Sequence, residues 1–446
     1  VTDVPPTSPS TSPATGPSPG VARTVPWKLT AATIVGNTIE FYDFTIYGTL
    51  TALVFGRLFF PTSDPLAGTL LAFGTFAVGF VSRPLGGVLF GHLGDRLGRK
   101  PTLMWSLGVM GAATFLMGLL PTYADIGVWA PIMLTFLRFC QGLGIGGEWG
   151  GAVSLMVESA PPSRRGWYGS LVQTGSGFGI ILSSLTLTTL LATLGTGELL
   201  AWGWRIPFLV SVVLVGVGVV VRLQIQESPE FREVKAEQRV ERAPVWQIVR
   251  EHPRTIALAI GMYVAIAAFG FVIGVFVISY TVQELGLSRE FAVAANLVNG
   301  VFYVIGILVA GALSDRIGKR RTYLLCGLLL IPAPFLYFAL LDTRSIPLIL
   351  AGSVFVGLVS GLPYGVQASL FCELFPARLR YSGISLGFQV ATVLGGALAP
   401  TFASLLFAAA EHSWAISAYI AGLAVIMVLC TLAVRPYPET TKGINA

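Results

Sequence analysis

Gly91-His-Leu-Gly-Asp95-Arg96-Leu-Gly98-Arg99-Lys100 is a short basic turn set between two long apolar runs. It returns 220 positions later as Gly311-Ala-Leu-Ser-Asp315-Arg316-Ile-Gly318-Lys319-Arg320. Both copies read G-x-x-x-D-R-x-G-[RK]-[RK]. A second pair of anchors, Glu158-Ser-Ala-Pro-Pro-Ser-Arg164-Arg165 and Glu373-Leu-Phe-Pro-Ala-Arg378-Leu-Arg380, lies 215 positions apart. Two anchors at nearly one offset imply a duplicated half, and a repeat of this kind constrains the fold more than any local propensity.

What surrounds the repeat sets the solvent. The 446 residues are 54% hydrophobic and 11% charged, whereas a soluble domain carries roughly 25% charged residues. With a mean hydropathy of +0.76 the chain is suited to lipid, in which a spanning helix needs about 20 apolar residues. The net charge of +6 is scattered over short loops, which fits an anionic lipid surface and not nucleic acid. Cys140, Cys326, Cys372 and Cys430 lie in or beside apolar runs without C-x-x-C spacing and read as packing thiols.

Twelve apolar segments are expected, at 29–56, 66–93, 102–121, 128–158, 167–194, 204–224, 253–282, 290–313, 322–341, 346–375, 382–408 and 412–434. They predict an all-α membrane protein of two six-helix bundles, 28–224 and 253–434. A Pro/Ser/Thr-rich tail (1–27) precedes them, a charged, helical linker (225–252) joins them, and a short tail (435–446) follows. The first apolar run comes late and is too long for a cleavable signal. With the N-terminus inside, 22 of the Lys and Arg residues fall on that side, three outside (Arg57, Arg289, Arg344) and three within spans (Arg83, Arg138, Arg205). The positive-inside rule then places both termini and the linker in the cytoplasm.

Charge inside lipid is costly, so each buried ionisable group is a functional candidate. Glu40, Asp43 and Tyr47 share one face of the first span at spacings of three and four. At about 1.5 Å per residue the two acids lie near mid-membrane, and Arg83 stands about 18 Å above Asp95. Arg138, Gln141 and Glu148 lie on the fourth span, and Gln173 on the fifth is placed to join them. Acids in such a site exchange protons near neutral pH, and an Arg fork grips a carboxylate. The expected site is therefore proton-coupled and anion-binding. Asp43, Glu40 and Glu148 carry protons; Arg83, Arg138, Gln141, Tyr47, Gln173, Tyr364 and Gln367 bind substrate. The second half supplies only neutral polar groups at depth: Tyr263, Tyr280, Asn296, Asn299, Tyr303, Tyr364, Gln367 and Gln389. Asp95, Arg96, Arg99, Asp315, Arg316, Glu158 and Glu373 cluster at the inner ends of spans, where a carboxylate pairs with loop arginines or a helix N-terminus and acts as a gate. Arg205, amid Trp202 and Trp204 at the outer edge, reads as an anchor. The glycines from Gly142 to Gly151 lie inside a span and allow close helix approach; they are not a phosphate loop.

The doubled motif resembles that of the major facilitator superfamily. Gly36-Asn37-Thr-Ile-Glu40-Phe41-Tyr42-Asp43-Phe44, Arg83-Pro84-Leu-Gly86-Gly87, Gln141-Gly142…Gly146-Gly147-Glu148-Trp149 and Trp202-Gly-Trp204-Arg205-Ile-Pro207-Phe208 resemble the signatures of its metabolite:H⁺ symporter branch. One departure is Phe41-Tyr42, where many relatives carry Trp-Phe or Trp-Tyr. The resemblance implies alternating access about a central site and proton symport, with the motif Asp95 and its arginines as an inner gate. It supports Glu40, Asp43, Arg83, Arg138 and Glu148 as the functional set. It implies a small organic anion and H⁺ as partners, in an inner membrane, with no cofactor, no metal, no nucleic acid and a monomeric chain. A carboxylate symporter is the first expectation and a proline/betaine symporter the second; osmosensing relatives often carry a coiled-coil extension, and here no heptads follow Arg435. A membrane sensor is disfavoured because the tails hold no signalling domain. An intramembrane enzyme is disfavoured because there is no H-E-x-x-H, and His92, His252 and His412 lie near surfaces or loops.

Overall fold

The computed structural model describes residues 25–62, 64–97, 99–146, 148–223, 244–376, 379–435 and 437. The expected first tail up to residue 24, most of the linker (224–243) and the end of the last tail (438–446) lie outside the described residues. So do the side chains of Asp95, Arg96, Arg99 and Glu148.

Twelve helical passages follow one another: α1 (27–58), α2 (Pro65–Leu97), α3 (Arg99–Gly118), α4 (129–159), α5 (Arg165–Ala201), α6 (Ile206–Leu223), α7 (Pro253–Gln283), α8 (Arg289–Ile317), α9 (Lys319–Asp342), α10 (Ile346–Cys372), α11 (Arg380–Ala410) and α12 (Trp414–Ala433). They match the apolar segments to within a few residues at most ends; α5 overruns its segment by seven residues after Leu194, beyond a non-helical Gly195. A short helix, Pro244–Glu251, occupies the last part of the linker.

Among the described residues, nine helices are each long and apolar enough to cross a membrane. The other three passages fall short for reasons visible in their sequences. Asn37, Glu40 and Asp43 lower the hydropathy of α1. The apolar part of α3 is the short stretch Met104–Gly118. α4 divides into Trp129–Ile145 and Glu148–Ser159. Large apolar side chains such as Leu85, Val88, Trp105, Phe136 and Val213 lie exposed around the rim, a surface that water would not tolerate and lipid does. The protein is a multi-pass membrane protein.

The repeat is visible in the packing. α1 packs on α5, α2 on α4, α3 on α4 and on α6; six helices later, α7 packs on α11, α8 on α10, α9 on α10 and on α12. The two bundles meet through the matching pairs α5 with α8 and α2 with α11. Even the backbone irregularities repeat. α1 opens into a π-helical turn at Thr51–Phe55 and α7 at Val272–Phe276, starting 221 positions apart.

Two apolar clusters form the core, one mostly in each bundle. The first-bundle cluster takes in Val275, Ile278, Ala292 and Val293 of the second, and the second-bundle cluster takes in Trp149, Val153 and Met156 of the first. The α2–α4 crossing is set by glycine. A Cβ on Gly86 would stand 2.7 Å from the carbonyl carbon of Leu143, and one on Gly142 2.9 Å from that of Gly79. Only hydrogen fits at these positions, and the close approach brings Arg83 and Arg138 to the same side of α1.

Candidate functional site

The acid-bearing face of α1 is buried. Glu40, Asp43 and Tyr47 are 5%, 1% and 0% exposed, and Arg83 and Arg138 are 3% and 0% exposed. Charges this deep need partners, and two separate sets are found.

The first set is a directed chain. Arg138 Nη1 donates to Gln141 Oε1. Gln141 Nε2 donates to Thr114 Oγ1 at 2.7 Å, and Thr114 Oγ1 donates to Asp43 Oδ2 at 3.0 Å. The chain thus runs from α4 through α3 to α1. The Arg138 guanidinium sits 4.1 Å from the Tyr47 ring centre and 4.7 Å from that of Phe44, and the Tyr47 hydroxyl lies 2.6 Å from Thr75 Oγ1 on α2. Aromatic faces are a low-dielectric way to stabilise a cation while leaving its N–H edge free. Room for the guanidinium comes from Gly79, where a Cβ would stand 3.0 Å from both Arg138 Cδ and Cζ.

The second set is an ion pair. Arg83 Nη2 lies 3.4 Å from Glu40 Oε1, and its guanidinium is 4.0 Å from the Phe44 ring centre and 4.7 Å from that of Phe80. Beyond Glu40, its electrostatic neighbours are Tyr263 and Tyr364 of the second bundle. Arg83 therefore faces the junction, and Arg138 the interior of the first bundle. Asp43 Oδ1, Arg83 Nε and Arg138 Nε and Nη2 are buried with no hydrogen-bond partner among the described residues.

Across the junction runs a column of rings. Trp149 of α4 stacks on Phe388 of α11 with centroids 3.8 Å apart and planes at 13°. Phe388 stacks on Tyr263 of α7 at 4.7 Å, Tyr263 on Tyr364 of α10 at 6.3 Å, and Tyr364 on Tyr303 of α8 at 5.9 Å. Gln173 of α5 ties the column together: it accepts from Trp149 Nε1 at 2.9 Å and donates to the Tyr364 carbonyl at 3.3 Å. Tyr364 OH, both amide atoms of Gln367, Ser385 Oγ and Gln389 Oε1 are buried here without partners among the described residues.

Both faces are closed over this layer. On the face bearing the motif loops, Asp315 accepts from the first N–H groups of α5, Gly166 N at 2.7 Å and Trp167 N at 2.8 Å. This carboxylate of one bundle caps a helix of the other, satisfying donors that a helix start leaves free and meeting its positive end. Arg380 of α11 pairs with Glu158 of α4 at 2.6 Å, again between bundles, while Lys319 pairs with Glu373 within the second. Towards the far face, Phe271 of α7 packs on Phe76 and Phe80 of α2 at 5.5 and 4.9 Å.

Comparison with known proteins gives this geometry a family. Residues 29–247 match the family model described as "Sugar (and other) transporter", and 264–446 match "Major Facilitator Superfamily". The shikimate transporter of Escherichia coli strain K12 is 42% identical over 87% of this chain and 90% of its own. A putative metabolite transport protein of Haemophilus influenzae is 36% identical over 95% and 98%, and the proline/betaine transporter of Salmonella typhimurium 32% over 92% and 83%. The chain belongs to the major facilitator superfamily. Among solved structures, a D-xylose-proton symporter superposes with a TM-score of 0.68 at 20% identity, covering 93% of this chain and 98% of that one. That likeness carries the fold: twelve spans in two bundles.

The protein is accordingly a transporter and not an enzyme. Of the residues singled out in its sequence, Arg138, Gln141, Tyr47 and Asp43 come together as one cluster, and Glu40 and Arg83 as a second beside it. Gln173 does not join Gln141 and Arg138; its amide is used by Trp149 and Tyr364 at the junction. Tyr364 lies in the ring column and Gln367 is buried one helical turn from it. Three expected pocket groups lie elsewhere. Tyr280 donates to Asp342 Oδ1 at 2.5 Å, near the far face. Asn296 donates to Ser184 of α5 at 3.2 Å and Asn299 to Asn296 at 3.4 Å, beside a small cavity within the second bundle. Arg316 is exposed. Arg205 rests 4.5 Å from the Trp204 ring centre and donates to the Leu120 carbonyl at 3.1 Å, an anchoring role. Thr114, Phe44, Thr75, Phe388 and Asp342 were not legible as site or pinning residues: none is an ionisable group at mid-depth, so a search for charge in lipid passes over them.

Proposed function

We propose that this transporter is a proton-coupled symporter that imports a small organic carboxylate, of the shikimate-like, dicarboxylate or α-keto acid kind, by alternating access. The observation that carries the reading is the enclosed layer in which Arg83–Glu40 and the Arg138–Gln141–Thr114–Asp43 chain lie side by side with guanidinium N–H groups unspent. A carboxylate matches those donors in geometry and charge. The 42% identity to a shikimate transporter supports the same class.

In this mechanism the substrate carboxylate lies between Arg83 and Arg138, and its remainder meets the rings and amides of the second bundle: Tyr263, Tyr303, Tyr364 and Gln367. Asp43 carries the coupled proton, with Glu40 and Glu148 as the other acids of the set. Anion and proton load together because each offsets the charge the other brings into the low-dielectric layer. The bundles, 28–224 and 253–434 joined by 225–252, then rock about the layer. The Asp315 cap and the Glu158–Arg380 pair release as the motif face opens, with Asp95, Arg96, Arg99, Arg316 and Glu373 in the same gate. That face is cytoplasmic by its excess of Lys and Arg, which puts both termini inside the inner membrane of a monomeric carrier.

A second reading, a proline or betaine symporter, is favoured by one feature: the ring column offers π faces that suit a quaternary or secondary ammonium. Uptake into sealed proteoliposomes separates the two. Under an imposed pH gradient, a panel of carboxylates and betaines is offered; accumulation of a carboxylate is expected, accumulation of betaine alone overturns the first reading, and no gradient-dependent uptake of either overturns both.

A further inference from the structure

Thr114 Oγ1 lies within bonding distance of three groups: Gln141 Nε2 at 2.7 Å, Met110 O at 2.9 Å and Asp43 Oδ2 at 3.0 Å. The chemistry of the chain fixes most of its protons. Arg138 can only donate, so the Gln141 atom facing it is the oxygen, and the amide nitrogen must face Thr114. Thr114 therefore always accepts from Gln141. Its single hydrogen is left for one of two acceptors, the Asp43 carboxylate or the Met110 carbonyl.

We propose that Thr114 is the positioning residue of the proton site, a hydroxyl joint that keeps Asp43 Oδ2 hydrogen-bonded in both the charged and the neutral form of the acid. When Asp43 is ionised, Thr114 donates to Oδ2. When Asp43 is protonated on that oxygen, the acid donates to Thr114 and the hydroxyl turns its hydrogen to Met110 O. A hydroxyl has one donor and two acceptor sites, so it accommodates both arrangements, its hydrogen placed in each. No heavy atom moves, and the link through Gln141 to Arg138 survives. Because Oδ2 keeps a partner with or without the proton, each change avoids the penalty of leaving that oxygen unsatisfied.

The groups around Asp43 leave this role to Thr114: Gln141 also hydrogen-bonds to the acid, but the amide nitrogen it turns that way can only donate. Glu40 on α1 itself and Arg138 from α4 are the charges that act on it. Arg83 from α2 stands beyond Arg138; on α1, Tyr42 is the phenol that faces Asp43, and Tyr47 faces Arg138. α3, α5, α6 and α7 bring no Asp, Glu, Lys, Arg or His to this depth.

The proposal rests on Asp43 being the coupled acid, and the test separates the two. The infrared band of buried protonated carboxyl groups is titrated with pH in the full-length protein in lipid, without added substrate. Wild type is compared with Asp43→Asn, Thr114→Val and Thr114→Ser. Asp43→Asn is expected to remove one titrating band. Thr114→Val is expected to move that band's midpoint to higher pH by about one unit, because the bond lost from the carboxylate is stronger than the bond lost from the neutral acid. Thr114→Ser, which keeps the hydroxyl, is expected to return it to within about half a unit. An unmoved midpoint in Thr114→Val, with the band lost in Asp43→Asn, overturns the role of Thr114 and leaves Asp43 standing. A spectrum unaltered by Asp43→Asn overturns the assignment of Asp43 itself.

Discussion

Arg83 and Arg138 share the ring of Phe44, their guanidinium carbons standing 4.0 and 4.7 Å from its centre. Two like charges this deep repel, and the shared ring, Glu40 and the Asp43 chain are what hold them together. Under the proposed function their free N–H groups receive the substrate carboxylate. Arg138→Ala or Arg83→Ala is expected to weaken carboxylate binding by about 30-fold or more, since truncating one partner of a buried charged contact costs about 2–5 kcal/mol. Isothermal titration with a carboxylate and with its neutral amide measures this. Equal loss for both ligands assigns the arginines to helix packing instead.

Asp43→Asn keeps the shape of the acid and removes its proton chemistry. Accumulation driven by a pH gradient is expected to fall to background, while counterflow exchange of labelled for unlabelled substrate continues. Full gradient-driven accumulation in the variant rules Asp43 out as the coupled acid.

Asp315 ties the bundles together through backbone groups of α5, so its replacement acts on the balance of states and not on binding chemistry. Losing a helix cap costs about 1–2 kcal/mol, a five- to thirty-fold shift in a two-state balance. Asp315→Ala is expected to favour the state open at the motif face. Cys372, buried at the end of α10 beside this layer, is the natural reporter: its labelling by a maleimide should quicken by a similar factor. An unchanged rate means the cap does not gate.

Gly142 packs on the backbone of Gly79, whereas Gly74, on the same α2, has open space around it. Gly142→Ala is expected to cost about 1–3 kcal/mol by overpacking and to lower the melting temperature in detergent. Gly74→Ala is expected to leave it unaltered or raised. A similar loss in both would mean that helix contact at Gly142 is looser than its backbone distances require.

The duplicated basic motif carried most of the fold in advance. Two copies 220 positions apart impose two equal halves, and apolar run lengths then place twelve passages between them. What the sequence did not disclose was which interior groups touch. Asp43 and Arg138 stand out because ionisable groups are rare in lipid. Thr114 does not, since a threonine in a membrane helix ordinarily bonds its own preceding turn, as this one also does with Met110. The partner of Gln173 is hidden for a related reason: spacing gives its position along α5, but its azimuth, which turns the amide to Trp149, depends on how α5 packs. The ring column was equally hidden, because Trp149, Phe388 and Tyr263 lie on three helices that no spacing relates. Asp342, at the end of α9, binds Tyr280 and Ser413 through its two oxygens, partners more than 60 residues away that no local pattern relates to it.

The wide turns at Thr51–Phe55 and Val272–Phe276 lie in the leading helix of each half. A π-turn interrupts the regular ladder of a helix and gives it a fixed place to flex. Because the leading helix of each half bears one at the same level, the halves inherit matched elbows. A residue deleted from only one of them would restore a straight rod on that side alone, and the two arms would then no longer bend in step.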